Sequence, residues 1–125
     1  MTQTYKALTT ILLELDLWYA EGVQKHLQGS EAYGDVGETL SAPISDYRDA
    51  VESYKSGQPI KKEGKELILK SLEQDREYTK MLLERLRAGS VQNPFILMPA
   101  SHFAGLISED IQRGIEDIKR LPERD

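Results

Sequence analysis

Two aspartates stand at positions where the hydropathy pattern of the chain calls for apolar side chains. Asp16 interrupts the apolar arc of a predicted first helix, and Asp75 lies near the middle of the apolar arc of a predicted third helix. A carboxyl group on such a face is costly to bury unless it is paired or hydrogen-bonded. If the two faces meet, Asp16, His26, Asp75 and Tyr78 would line an inter-helix pocket that binds a small molecule.

The alternative is a structural role for the same residues. Asp75 would then bond to a tyrosine, an arginine or a backbone amide and specify how the helices pack. His26 would emerge into solvent near the end of the first helix, where a positive charge is favoured. The sequence thus predicts either a ligand site or a polar layer that fixes helix register.

The residue types that support metal or covalent catalysis are scarce. The chain has no cysteine, which excludes thiolate nucleophiles and thiolate metal sites. Its two histidines, His26 and His102, form neither a Glu-x-x-His nor a His-Glu-x-x-His motif. Ser101 precedes His102, but adjacency in sequence says nothing about the geometry of a catalytic triad. We therefore predict no catalytic residue, no metal site and no cofactor.

Excess negative charge is confined to the first half of the chain. Residues 1–58 contain four Lys or Arg and nine Asp or Glu, which accounts for the whole formal charge of -5, because residues 59–125 contain twelve of each. Such a surface would attract a basic protein and repel nucleic acid. The alternative is a solvated face that keeps the chain soluble. The predicted partner-binding residues are Asp35, Glu38, Asp46, Asp49 and Glu52, with Tyr47 beside them.

An apolar segment near residue 97 is the remaining unusual feature. The run Phe95-Ile96-Leu97-Met98 lies between two prolines, which predicts a loop or a short edge strand. Because large exposed apolar patches are rare on monomers, we expect the segment to fold back and cap the bundle. In the alternative it is an exposed interface whose anchors are Asn93, Phe95, Met98 and Phe103.

The helices that would position these residues follow from hydropathy periodicity and from the placement of glycine and proline. The pattern predicts helices over about 2–28, 45–56, 61–88 and 101–121, separated by irregular stretches at 29–44 and 90–100. The first helix has the broadest apolar arc, which includes Ile11, Leu15, Trp18 and Tyr19 but neither Leu13 nor Leu17, so we expect it to be central. The pattern of the second helix places Ala50, Val51 and Tyr54 inward, and the last helix has one apolar stripe through Ile111, Ile115 and Ile118. The predicted fold class is all-α, a compact bundle of about four helices with two long irregular loops in one domain over residues 1–125.

Sequence signals for membrane insertion and secretion are missing as well. No apolar run reaches the length of a membrane span, and the first residues lack the features of a signal peptide. We therefore expect a cytoplasmic protein that binds neither membrane nor nucleic acid. The predicted function is a non-catalytic protein-binding module, of the inhibitor, immunity or regulatory-adaptor type, that engages a basic partner. The alternative is a small-molecule-binding or sequestering helical protein with a pocket between helices or between the subunits of a homodimer.

Overall fold

The computed structural model describes the backbone of residues 4–90 and 94–124 and the side chains of residues 5–88 and 102–124. Helices dominate this part of the chain, and the predicted all-α bundle is confirmed. In chain order the elements are α1 (Thr4–Gln28), α2 (Gly34–Thr39), α3 (Ser41–Ser56), β1 (Ile60–Lys61), α4 (Lys62–Arg85), a π-helical turn (Leu86–Ser90), α5 (Pro94–Arg120) and β2 (Glu123–Arg124).

The core lies between α1, α3, α4 and α5, and the most extensive packing is between α4 and α5. The buried isoleucines of α5 recur at spacings of four and three residues, so they form one stripe along the helix. Burying each large aliphatic side chain is worth about 1.5–3 kcal/mol, so this cluster dominates the stability of the bundle. Its members are Leu13, Ala50, Val51, Tyr54, Ile60, Ile68, Leu72, Ile111, Ile115 and Ile118.

A short parallel strand pair closes one end of the bundle. α3 ends at Gly57, whose φ of 73° lies in the left-handed region that glycine adopts without strain. The chain then turns into β1, where Ile60 is fully buried and pairs with Glu123 of β2. The pairing holds the residues after α5 against the start of α4.

The buried amine of Lys65 reinforces the same end. Its Nζ donates hydrogen bonds to the carbonyl oxygens of Lys119, at 3.2 Å, and of Leu121, at 2.9 Å. The carbonyls at the end of a helix have no partners within the helix, and a cation there is favoured by the helix dipole. Lys65 on α4 therefore stabilises the carboxyl end of α5.

The stretch 29–44, predicted to be irregular, is largely helical, because it contains α2 and the start of α3. The glycine at position 37 serves helix packing here rather than a loop. A Cβ on Gly37 would lie 2.8 Å from the backbone nitrogen of Gln28, so only glycine lets α2 approach α1 this closely. Gln24 fixes the contact by donating to the carbonyl oxygen of Gly37 at 3.0 Å and to Ser41 Oγ at 2.8 Å.

The second predicted loop, at 90–100, is also helical from Pro94 onward, seven residues before the expected start of the last helix. Proline is tolerated at the first helical position, because the missing N–H would have had no partner within the helix. Pro94 is therefore compatible with a helix that begins there, and α5 continues through Pro99 although proline at that interior position lacks the N–H of a helical hydrogen bond.

α1 is not the central helix that the sequence predicted. Its fully buried leucine is Leu13, which lies outside the predicted apolar arc. Ile11, Leu15, Trp18 and Tyr19, all within that arc, are more than half exposed. Part of the arc of α1 expected to face the core therefore faces outward, whereas Leu12, in the same arc, packs against the core.

The contact between α1 and α5 explains this orientation. Thr9 is fully buried, and a Cβ on Gly114 of α5 would overlap the Thr9 side chain. Thr9 Oγ1 donates to the carbonyl oxygen of Tyr5 at 2.7 Å, so the hydroxyl is satisfied within α1. The close approach at Gly114 turns the Thr9 and Leu13 side of α1 inward.

Candidate functional site

A chain of polar side chains joins α1, α3 and α4. Ser71 Oγ on α4 donates a 2.6 Å hydrogen bond to Asp16 Oδ2 on α1. The hydroxyl of Tyr47 on α3 donates a 3.1 Å hydrogen bond to Ser71 Oγ. Burial raises the pKa of Tyr47 well above its ordinary value, so this hydroxyl remains a donor. These hydrogen bonds between side chains fix the relative register of α1, α3 and α4.

Asp75 lies one helical turn after Ser71 on α4 and faces the carboxylate of Asp16. Its Oδ2 atom is buried and accepts no hydrogen bond from the described residues. Burial raises the pKa of Asp75 to about 7, and the hydrogen bond and negative charge of Asp16 raise it as well. A protonated Asp75 can donate to Asp16, which satisfies both carboxyl groups. We name Asp16, Tyr47, Ser71 and Asp75 the polar cluster.

The other two residues predicted to share a ligand pocket lie elsewhere. His26 is exposed and lines a shallow groove beside Trp18 on α1. Tyr78 is exposed and lines a groove between α4 and α5, with Phe103 opposite. The structure thus brings Asp16 and Asp75 together but separates them from His26 and Tyr78.

A small groove between α1, α3 and α4 contains one side chain of the polar cluster. Its volume is about 330 Å³, at the lower end of the range for ligand sites. Tyr47 has its hydroxyl turned toward Ser71, and the other lining side chains are mostly apolar. They are Tyr19, Ala20, Val23, Leu40, Pro43, Ile44 and Leu67.

The predicted acidic surface is partly neutralised by contacts within the chain. Asp49 Oδ2 lies 2.6 Å from a guanidinium nitrogen of Arg124, and Glu52 lies 3.8 Å from Lys55 Nζ. Asp46 is half-buried. The exposed members are Asp35 and Glu38 on α2 together with Glu52 on α3, and Glu38 accepts a hydrogen bond from Gln28 at 3.2 Å. Tyr47 points its hydroxyl inward.

The outward side of α1 exposes large apolar residues. Trp18 is 74% exposed and Tyr19 71%, and Ile11 and Leu15 are each exposed by more than half. With Gly22 they form what we name the α1 outer face. The four side chains leave roughly 500 Å² of mostly apolar surface in water, comparable to the largest patch on a typical monomer, which is often functional.

A second apolar area involves one of the predicted interface anchors. Phe103 is 62% exposed and contributes to the groove between α4 and α5, with Leu82 and Ile107 as neighbours. Asn93 lies outside the described residues, and the side chains of Phe95 and Met98 do as well. Of the four predicted anchors, Phe103 is therefore the one that the structure places.

The α1 outer face was not predicted as a site, although the sequence contains a signal for it. Leu13 and Leu17 lie outside the broad arc of α1, so the helix has apolar residues on two sides. In this structure α1 buries Leu13 and leaves Trp18 and Tyr19 exposed. The sequence alone does not say which side is which.

Comparison with protein-family models, with curated proteins and with solved structures finds no match to this chain. Within the described residues, no group of three or more His, Asp or Glu side chains is arranged to hold a metal ion. None of the helices found there is both long and apolar enough to cross a membrane.

Proposed function

We propose that this chain is a non-catalytic, cytoplasmic protein-binding module and that its principal docking surface is the α1 outer face. The observation that carries the proposal is the exposure of Ile11, Leu15, Trp18 and Tyr19 along one helix. Tryptophan and tyrosine are enriched among the side chains that dominate binding energy. Their spacing along α1 matches the anchor pattern by which an amphipathic helix docks on an apolar surface.

The binding free energies expected from the two surfaces favour the α1 outer face over the acidic surface. Removing roughly 500 Å² of apolar surface from water is worth about 12 kcal/mol before the costs of association are subtracted. Exposed ion pairs contribute about 0–1 kcal/mol each. Because Asp49 already pairs with Arg124, the acidic surface supports affinity less than the α1 outer face does.

The acidic surface has a separate role in this proposal, which is to speed encounter with a basic protein. Long-range attraction raises the association rate more than it lowers the dissociation rate. Reversing Asp35 and Glu38 to lysine should slow association at low salt and leave dissociation nearly unchanged. Equal rates in the wild type and the double variant would remove this role.

Site-specific photo-cross-linking in the source cells tests the proposed docking surface. A photoreactive phenylalanine derivative at position 18 should give discrete cross-linked protein products. The same residue at the exposed position of Glu84 on α4 is the matched control, and it should give at least tenfold less product. If position 18 gives no more product than position 84, the α1 outer face is not the docking surface.

A second candidate function, binding of a small apolar molecule, is supported by the groove lined by Tyr47, Leu67 and their apolar neighbours. Native mass spectrometry of protein isolated from its source should then detect a retained small mass. Ala20→Phe, which fills the groove, should abolish the retained mass without changing helix content. Protein that carries no adduct under these conditions would remove this candidate.

A further inference from the structure

The α1 outer face has a gap between side chains at its carboxyl-terminal end, at Gly22, which we call the notch. Gly22 is exposed, and a Cβ there would have nothing within 4 Å. Glycine is a poor helix former, and no contact within the described residues requires one at this position. A close approach from outside the chain gives a reason for it, because a helix that packs over a glycine comes nearer than one that packs over a side chain.

Leu15 is the side chain that fits this notch when a second α1 lies antiparallel to the first. Leu15 and Gly22 are seven residues apart on the same side of the helix. A twofold axis midway between Trp18 and Tyr19 places Leu15 of each copy opposite Gly22 of the other. The aromatic rings of both copies then meet around the axis, whereas a parallel pairing would set notch against notch.

The charges along one edge of α1 complement each other in the same arrangement. Glu14 and Lys25 lie on one edge of the outer face, and each copy would bring its Lys25 within about 3 Å, along the helix axis, of Glu14 in the other. In the single chain Glu14 contacts Lys55 at 3.1 Å and Glu21 contacts Arg48 at 3.3 Å. The flank of the face is thus close to neutral, although the whole chain carries a charge of -5.

We infer that the α1 outer face binds a second copy of this chain, with the two α1 helices antiparallel and Leu15 of each seated on Gly22 of the other. The inference deepens the proposed function and rests on it. The exposed area of roughly 500 Å² per copy, extended by the half-buried Leu8 and Val23, is smaller than the ~800 Å² per partner of a standard interface and lies in the range of weak, transient contacts. We therefore expect a weak dimer that forms reversibly at micromolar protein concentrations.

Sedimentation equilibrium from 1 to 500 µM tests the dimer on the full chain. The wild type should shift from monomer to dimer across this range. Trp18→Glu should weaken the dimer at least a hundredfold. Leu106→Glu is the matched control, because it places the same charge on another exposed apolar position and should leave the dissociation constant unchanged.

Two further variants separate interface loss from misfolding and test the register. Gly22→Gln improves the helix-forming tendency of α1 and points into open space, so it should preserve or raise thermal stability while weakening the dimer at least tenfold. Lys55→Gln removes the partner of Glu14 within the chain, and in that background Glu14→Lys and Lys25→Glu should each weaken the dimer, whereas the double variant should recover most of the loss. Failure of the double variant to recover would overturn the antiparallel register.

The outcomes distinguish this inference from the proposed function. A wild type that stays monomeric up to 500 µM overturns the dimer, and products with other proteins at position 18 would then still support the docking surface. A dimer broken by Leu106→Glu but not by Trp18→Glu would assign the interface to α5 and overturn the inference. If Gly22→Gln leaves the dimer intact, Leu15 does not pack on Gly22 and the inference is overturned.

Discussion

Replacing Asp75 with asparagine is expected to stabilise the protein at pH 8 and to reduce the pH dependence of its stability. The pKa of Asp75 is about 7 in the folded chain, against an ordinary value of 3.8. Between these values the folded state keeps a proton that the unfolded state releases. The resulting stabilisation is complete below about pH 4 and is lost as the pH rises through about 7.

The magnitude follows from the displacement of the pKa of Asp75. A change from 3.8 to about 7 corresponds to about 4 kcal/mol at 1.36 kcal/mol per pKa unit. Asp75 is only half-buried, so solvent screens part of the effect, and we expect ~2 kcal/mol. Asparagine has nearly the same size, and its amide can donate to Asp16 at every pH.

Urea unfolding followed by circular dichroism at pH 5, 6, 7 and 8 measures this difference. The free energy of unfolding of Asp75→Asn should exceed that of the wild type by ~2 kcal/mol at pH 8 and by less at pH 5. Asp35→Asn makes the same chemical change at an exposed site on α2 and should show neither effect.

The reasoning is refuted if Asp75→Asn is less stable than the wild type at pH 8. That result would mean that the Asp75 carboxylate is stabilised as an anion in the folded chain. A gain in stability that is the same at pH 5 and pH 8 would also contradict it, because the effect would then not depend on titration.

Three further substitutions test the packing, each by urea unfolding at pH 7. Gly114→Ala should lower the free energy of unfolding by about 1–3 kcal/mol, because the new methyl overlaps Thr9. Gly105→Ala in the same helix meets open space and should not lower it. Equal effects of the two substitutions would contradict the close approach of α1 to α5 at Gly114. Lys65→Met should cost about 2 kcal/mol by leaving the end of α5 without its donor, and an unchanged stability would show that water replaces the amine. Tyr47→Phe should cost about 1 kcal/mol through loss of one hydrogen bond, and a gain in stability would mean that this bond is not made.

The structure confirms the predicted buried residues in the helices whose hydropathy pattern has one clear periodicity. α5 has a single apolar stripe, and its buried residues Ile111, Ile115 and Ile118 follow that stripe. α3 likewise buries Ala50, Val51 and Tyr54 as its pattern indicated, with Tyr47 half-buried beside them. Local periodicity suffices in these helices because each has one side that can be buried.

The positions of glycine and proline were less informative than their usual meaning suggested. Gly37 indicates a loop by its type, but it lies in α2 at the place where this helix crosses α1. Pro94 indicates a break by its type, but it begins α5. Whether such a residue ends a helix or permits a contact depends on what lies next to it in space.

The sequence by itself determined the all-α class, the inward sides of α3 and α5, and the occurrence of two acidic residues on apolar helix faces. Only the tertiary structure decided that Asp16 and Asp75 meet each other, that His26 and Tyr78 lie apart from them, and that Trp18 faces outward. Periodicity is a property of one helix, whereas the side that is buried depends on contacts with others. For α1 that contact is Thr9 against Gly114, two residues that are more than a hundred positions apart in the chain.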